Sequence, residues 1–460
     1  MTDSSLSPPS GIRRLGISIL ASTLVVAPAS AVELDYGLGY GAVYSSNIGL
    51  SEANEQREWI NILRGLFSAQ EVTDRVDARF YSLLELRQYT QTDYEDEALL
   101  ALDGSARWVL SPQRLTLEVE DRFTQVPITP TVAVSPTNRQ DTNVFSIGPD
   151  LHLRFSPINS ADVGVRYIQN YYESATTDSD RLGGYARLTH LMSPITRVTA
   201  SYEPSYVNYY DDAINPDYTR QDVFVGARTN RLGLDMSFDF GKIYIDRHTD
   251  AIRDVEGSLL RASLTRQINA ETALNITAAD EYSDSGRDTL IVDPTVIGPP
   301  SQVAINPTDF VGGGLYATQH IDANYTRRRY YGNNLVRAYW RELDFESPQI
   351  LLDHRVVGAF ADVGFDYSSA MGTSVFGNYS ETDYLRVART DKDKGIGARV
   401  IYRFMRTLSL SLEGRFSQRT SSLASMNYDE LRAVATIAYN TNYAMTVNNP
   451  FLEQNNPLYR

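Results

Sequence analysis

The chain has 460 residues, a net charge of −15 with histidine neutral, 11% aromatic residues that include 30 tyrosines, and no cysteine. Disulfides, thiolate metal centres and a lipid-modified cysteine are excluded by that last count. An acidic chain without a basic domain is also a poor match for nucleic acid. The length would suit two or more ordinary domains, but barrels of this size fold as one.

Residues 1–31 read as a secretory signal. Arg13 and Arg14 precede an apolar run from Leu15 to Val26, and Ala29-Ser30-Ala31 supplies a small-residue cleavage site before Val32. The run is too short to cross a bilayer as a helix. No later apolar run reaches the roughly 18 residues of a helical span.

From Val32 the pattern is that of strands. Leu34, Tyr36, Leu38, Tyr40 and Tyr44 form one row, against Asp35, Gly37, Gly39 and Gly41. Glu58–Gln70 is less regular. Over residues 75–90, Val76, Ala78, Phe80, Leu84 and Leu86 oppose Asp77, Arg79, Tyr81, Glu85 and Arg87. Leu115, Leu117, Val119 and Phe123 then oppose Glu118, Glu120 and Arg122. Phe145, Ile147, Leu151 and Leu153 oppose Asp150, His152 and Arg154. Side chains alternate across a strand, so each stretch has one apolar and one charged face. Ser111-Pro112, Ser156-Pro157 and Ser193-Pro194 mark strand ends, because proline cannot donate to a ladder. A turn is expected at Thr229-Asn230. On the strand after it, Leu232, Leu234, Met236, Phe238 and Phe240 oppose Arg231, Asp235 and Asp239. Beyond Gly241 the apolar parity passes to Ile243 and Ile245, which suggests a glycine bulge. The clearest hairpin is Ile396–Phe416. There Ala398, Val400, Tyr402, Leu410 and Leu412 oppose Arg399, Arg403, Glu413 and Arg415. Leu431–Asn440 is the last clear strand.

Short turns alternate with long polar connections such as Pro127–Asp141 and Asp284–Thr308. That alternation is the plan of an outer-membrane barrel, with short periplasmic turns and long external loops. The expected fold is all-β: one transmembrane antiparallel barrel of about 18–20 strands over residues 32–441. Residues 442–460 would be a polar tail or a terminal strand.

In such a barrel the apolar row meets lipid and the polar row faces the lumen. The expected lumen lining is Arg79, Arg87, Glu118, Glu120, Arg122, Arg154, Asp235, Asp239, Arg261, Arg337, Tyr339, Arg341, Arg399, Arg403, Glu413 and Arg415. Both signs occur on neighbouring strands, which argues against steep anion or cation selectivity. Tyr81, Tyr185, Phe224, Tyr339, Phe360 and Phe376 fall in or near the same row, where rings could stack on sugars or simply fill space. Tyr40, Tyr44, Trp108 and Trp340 read as interfacial girdles. No catalytic residue, cofactor motif or metal motif emerges. The histidines His152, His190, His248, His320 and His354 lie in no recognisable catalytic pattern, and the loop carboxylates lack EF-hand spacing.

The secretory signal, the opening strand leading into Tyr44-Ser45-Ser46-Asn47-Ile48, and the Ser-Pro hairpin turns resemble an outer-membrane β-barrel porin family associated with exopolysaccharide biosynthesis and export loci. The resemblance covers most of the chain after the secretory signal and carries no functional residues with it. It implies a channel for passage or export of polysaccharide, in the outer membrane of a Gram-negative bacterium. The partners it implies are membrane lipid and lipopolysaccharide, the barrel assembly machinery, polysaccharide and periplasmic export components. A general or nutrient-uptake porin would give the same strand pattern. A barrel hydrolase acting on envelope lipid or protein is a third reading.

Overall fold

The computed structural model describes residues 32–174, 177–211, 215–249, 253–284, 314–329, 331–346 and 350–441. The expected signal (1–31), the expected tail (442–460) and nearly all of the connection after Asp284 lie outside them.

Twenty strands form one sheet. They are β1 Glu33–Ser45, β2 Glu58–Val72, β3 Val76–Tyr89, β4 Glu97–Ser111, β5 Leu115–Val126, β6 Gln140–Arg154 and β7 Asn159–Tyr172. Next come β8 Ser179–Ser193, β9 Thr196–Tyr209, β10 Tyr218–Arg231, β11 Leu234–Arg247, β12 Val255–Asn269, β13 Thr272–Asp284 and β14 Leu315–Arg329. The sheet ends with β15 Gly332–Phe345, β16 His354–Asp366, β17 Met371–Tyr384, β18 Arg389–Met405, β19 Leu408–Ser421 and β20 Tyr428–Asn440. Each strand pairs antiparallel with its neighbour in sequence. β1 also pairs with β20, from Gly37 opposite Asn440 to Ser45 opposite Arg432. The sheet is therefore a closed barrel with no free edge, the form a β-structure needs if every ladder group is to be satisfied in lipid.

The strands run 12 to 17 residues, longer than the roughly 9–11 that cross a bilayer at a tilt. The outward rows show where the surplus lies. On β18, reading away from the short turn, Phe404, Tyr402, Val400, Ala398 and Ile396 are exposed and apolar, and Lys394 and Lys392 follow. On β11 the order is Leu234, Met236, Phe238 and Phe240, then Lys242, Tyr244 and Asp246. About five outward residues thus make an apolar belt at the short-turn end, and the strands project past it. Trp59 and Tyr44 pack together at 5.1 Å above the belt, on the side of the long connections.

The turn before β11 differs from the expected one. It is the two-residue turn Leu232-Gly233, with φ of 43° and 76°, closed by the pairing of Arg231 with Leu234. Positive φ at both positions is the twist that suits a two-residue hairpin, and Gly233 adopts it without strain. The expected bulge at Gly241 is also absent: β10 and β11 pair without a register shift from Tyr218 to Arg247. Ile243 and Ile245 stay on the inner row and are buried, packed with Val207, Tyr209, Tyr218, Phe224, Leu259 and Leu315. Apolar residues there signal an interior that is packed at that height, not a change of face. The register irregularities that do occur, at Val109/Ser111, Leu191/Ser193, Gln267/Asn269 and Arg403/Met405, all adjoin short turns.

Candidate functional site: the barrel interior

The interior changes character along the barrel axis. In the half nearer the long connections the inner rows are buried. Leu83, Glu85 and Arg87 on β3, Ile60, Ile62 and Arg64 on β2, and Arg220 and Asp222 on β10 are all covered. Arg220 and Arg399, each 1% exposed, are the two largest of the fully buried side chains. Inner-row residues of an open water-filled lumen would not be hidden this way. The row expected to be wet along its length is packed in its outer half. Towards the short turns, Arg79, Arg107, Arg154, Arg197 and Arg228 are exposed on the same face.

Buried charge is tolerated in the outer half because each group is paired within the wall. Glu85 accepts from Arg64 Nε and Arg87 Nε, both at 2.6 Å. Arg87 also reaches Glu97 at 3.7 Å, and Tyr89 donates to that carboxylate at 2.5 Å. Arg220 forks onto Asp222 at 2.8 and 2.9 Å and donates to the Tyr282 carbonyl at 2.7 Å. Arg181 and Tyr218 meet Asp284 at 2.5 and 3.0 Å. Arg337 and Arg341 share Asp322 at 2.6 and 3.0 Å. On β18 and β19 the burial continues towards the short turn, where Arg399 meets Glu413 at 2.7 Å.

One connection enters this packed region. Residues 127–139, expected as an external loop, turn inwards. The Asn138 side chain ties the loop to itself, accepting from Thr129 N at 2.8 Å and donating to the carbonyls of Thr129, Val132 and Ala133 at 3.0–3.2 Å. Arg139 is buried and donates to both oxygens of Glu97 at 2.8 Å. Burial presses its guanidinium below the ordinary pKa and nearby Arg87 adds to this, with Glu97 opposing. At the tip the Thr131 carbonyl accepts from Arg389 Nη2 on β18 at 2.6 Å. A loop rooted between β5 and β6 therefore reaches the inner row on the far side of the β1–β20 seam.

The expected lining residues all lie on inner rows, in three settings. Arg87, Arg337, Arg341, Arg399, Arg403 and Glu413 are buried in pairs, with Arg403 3.6 Å from Asp366. Glu118, Arg122, Asp235 and Arg261 are partly buried partners of Arg107 and Arg166, Asp103, Arg228 and Glu281 respectively. Asp239 stands opposite Arg261, and Arg415 opposite Arg432. Arg79 lies 3.5 Å from Asp77, whereas Arg154 and Glu120 are exposed with no ion pair among the described residues. The expected list omits Arg64, Arg139, Arg220, Asp222 and Arg389. Arg64 is hard to find because β2 is apolar on both rows: Trp59, Leu63 and Phe67 face out, while Ile60, Ile62 and Leu66 face in.

The inner aromatics form layers with arginine. Arg337 lies 5.2 Å over Tyr339, Arg399 5.3 Å over Phe376, Arg261 5.7 Å over Phe224, and Arg187 5.7 Å over Tyr185. Behind three of these rings the neighbouring strand carries glycine, with Gly164 set against the Tyr185 ring as well as the two that follow. A Cβ at Gly358 would stand 2.3 Å from the Tyr339 ring, and one at Gly397 2.4 Å from the Phe376 ring. The Tyr185, Tyr339 and Phe376 rings are thus each held between a bare backbone and a guanidinium, so their faces are already used. Among the histidines, His152 meets Asp162 at 2.5 Å on the inner face, His190 is outward beside Asn159, and His354 is buried with its Nδ1 at the Leu352 carbonyl.

No family model and no curated protein matches the chain. Among solved structures it is similar to a mutant ferric enterobactin receptor of Pseudomonas aeruginosa bound to enterobactin, with TM-score 0.46 and 8% identity, covering 90% of this chain and 82% of that one. It is similar to the siderophore receptor PirA of the same organism, with TM-score 0.43, 11% identity and coverage of 90% and 81%. For OccK2 of Pseudomonas aeruginosa the values are 0.39 and 10%, covering 89% of this chain and 98% of that one. Likeness at that level carries no solute or mechanism across.

Proposed function

We propose that the chain is an outer-membrane channel for small hydrophilic solutes, of the general or nutrient-uptake kind, held closed at its outer mouth. The observation that carries this reading is the two-faced wall. An apolar belt about five outward residues deep surrounds a barrel whose inner row is charged and, on the arc from β3 to β10, solvent-exposed towards the short turns. Membrane lipid would meet the belt, lipopolysaccharide would meet Lys242, Lys392 and Lys394 above it, and the barrel assembly machinery would insert it. The loop of residues 127–139 and the buried ion pairs would have to shift before solute could pass.

Polysaccharide export, with polysaccharide and periplasmic export components as partners, is the weaker reading. Four of the six inner rings that would stack on sugars, Tyr185, Phe224, Tyr339 and Phe376, already have an arginine over one face. Among the described residues a hydrolase has two partial sets in its favour: His152 with Asp162, a base and an orienting group without a bonded nucleophile, and Thr219 with His248 at 3.0 Å, an exposed hydroxyl and base without a bonded orienting carboxylate.

The test is membrane fractionation together with swelling of liposomes that contain the purified chain, using neutral and charged solutes of graded size. Outer-membrane residence with size-limited entry supports the channel. A soluble periplasmic protein, or a membrane protein that admits no solute even after residues 127–139 are shortened, would overturn it.

A further inference from the structure

We propose that the short-turn half of the barrel interior, on the arc from β3 to β10, is an anion-binding vestibule for small carboxylates or phosphates. This rests on the channel reading and names its solute class.

Three observations carry it. First, the exposed ion pairs on this arc are asymmetric. In the Arg107–Glu118 pair the arginine is 60% exposed and the carboxylate 22%; in Arg228–Asp235 the values are 50% and 25%, and in Arg187–Glu203 they are 43% and 25%. The guanidinium heads thus face the interior, and the carboxylates sit behind them against the wall. Second, Arg154 and Arg197 are exposed on the same face with no carboxylate in ion-pair range among the described residues. Arg197 stands directly opposite Arg228 across the β9–β10 ladder. Like charges placed opposite each other are destabilising; Asp235 holds Arg228, and Arg197 beside them adds positive charge to this wall. Third, a cavity of about 400 Å³ opens on this face, lined in part by Arg107, Arg114, His152, Thr116 and Tyr185. Glu118, Asp150 and Asp162 also line it, but each already holds a partner: Arg107 and Arg166, Arg166 and Tyr185, and His152 in turn. Glu120 is the one inner carboxylate on β5 that remains exposed, at mid-height.

Guanidinium groups present planar forks that match carboxylate and phosphate oxygens. Several of them around a concave wall would concentrate anions there, more strongly at low salt. The mixed signs of the sequence suggest a weakly selective lumen. On the arc from β3 to β10 the structure separates them into an outer half where both signs are paired and buried, and an inner half where the exposed charge is mainly positive; on β18 and β19 the buried pairs continue down to the short turn.

The test uses the full chain in detergent, titrated calorimetrically with citrate and, separately, with inorganic phosphate at low salt. The variants are Arg154→Gln, Arg197→Gln and the double substitution. Both arginines are exposed and unpaired among the described residues, so their loss strands no buried charge. The wild type should bind at least one of the anions, and the double variant should bind it about tenfold more weakly. A citrate-only or phosphate-only response assigns the ligand class. No binding of either anion, or equal affinity in the double variant, would overturn the proposal. Reversal potentials across planar bilayers give a second readout: the wild-type pore should prefer anions and the double variant less so, and a cation-preferring wild type would also overturn it. Absence of any current would count against the channel reading alone, since the titration decides the vestibule without an open pore.

Discussion

Removing the Glu85 carboxylate tests whether the outer half of the barrel is packed as described. Glu85 lies on the inner row of β3 with no exposure, and its two oxygens take Arg64 and Arg87 at 2.6 Å each. Glu85→Ala leaves two buried guanidinium groups without their main partner. Breaking a buried pair from one side typically costs about 3–5 kcal/mol. Arg87 keeps Glu97 at 3.7 Å, but Arg139 already holds both oxygens of that carboxylate. The lower end, about 3 kcal/mol, is therefore expected. The assay is equilibrium urea unfolding of the chain folded into lipid vesicles, followed by heat-modifiable migration on gels and by tryptophan emission. Replacing the trio with Arg64→Met, Glu85→Leu and Arg87→Met should recover most of the loss, since apolar residues of similar volume can substitute for a buried ion cluster. A Glu85→Ala protein within about 0.5 kcal/mol of the wild type, the range of ordinary surface substitutions, would refute the argument. It would show that the outer half is open to water.

Other substitutions probe other parts of the account. Val400→Arg places a charge on the outward row of β18 and should cost roughly 2–4 kcal/mol near mid-bilayer, read in the same unfolding assay. Arg403→Ala, on the inner row three pairs nearer the turn, should leave insertion intact. Gly358→Ala drives a Cβ into the Tyr339 ring and should cost about 1–3 kcal/mol as overpacking. Adding Tyr339→Ala should return part of it, a coupling measurable by a double-mutant cycle. Gly233→Val forces a β-branched residue to a φ of 76° and should destabilise the β10–β11 hairpin by about 1–2 kcal/mol, seen as a lower urea midpoint.

Much of the fold is legible in the sequence, because a barrel strand must satisfy two solvents at once. In the Ile396–Phe416 hairpin the alternation alone puts Val400 and Leu412 on one face and Arg399 and Glu413 on the other, and the structure places them so. The strand number and the alternation of short and long connections follow from the same rule, because the apolar belt and the turns repeat. The interior is less legible. The two-solvent rule assumes water inside, and it fails where the interior is packed. Ile243 and Ile245 then look like lipid-facing residues, though they are inner ones. Strand β2, apolar on both rows, hides Arg64. The inward path of residues 127–139 leaves no local mark either. Its anchors, Glu97 and Arg389, lie far away in sequence, and Asn138 could equally belong to a loop bent outwards. The arginine-over-ring layers depend on cross-strand register to within one residue, which periodicity does not supply.

The central claim is a channel closed by its own loop. Single-channel current across a planar bilayer tests it most directly, comparing the wild type with Asn138→Ala, which loosens the loop without touching the wall, and with a chain whose residues 128–138 are replaced by a short glycine-serine link. The Arg389 contact to the Thr131 carbonyl is a hydrogen bond to a charged donor, of the kind worth about 1.5–3 kcal/mol. Its loss should raise the open-to-closed ratio roughly ten- to a hundredfold. Rare openings are expected in the wild type, more frequent ones in Asn138→Ala, and the most frequent in the loop-replaced chain, where only the buried ion pairs still have to shift. Equal currents in all three, or none in any, would contradict it.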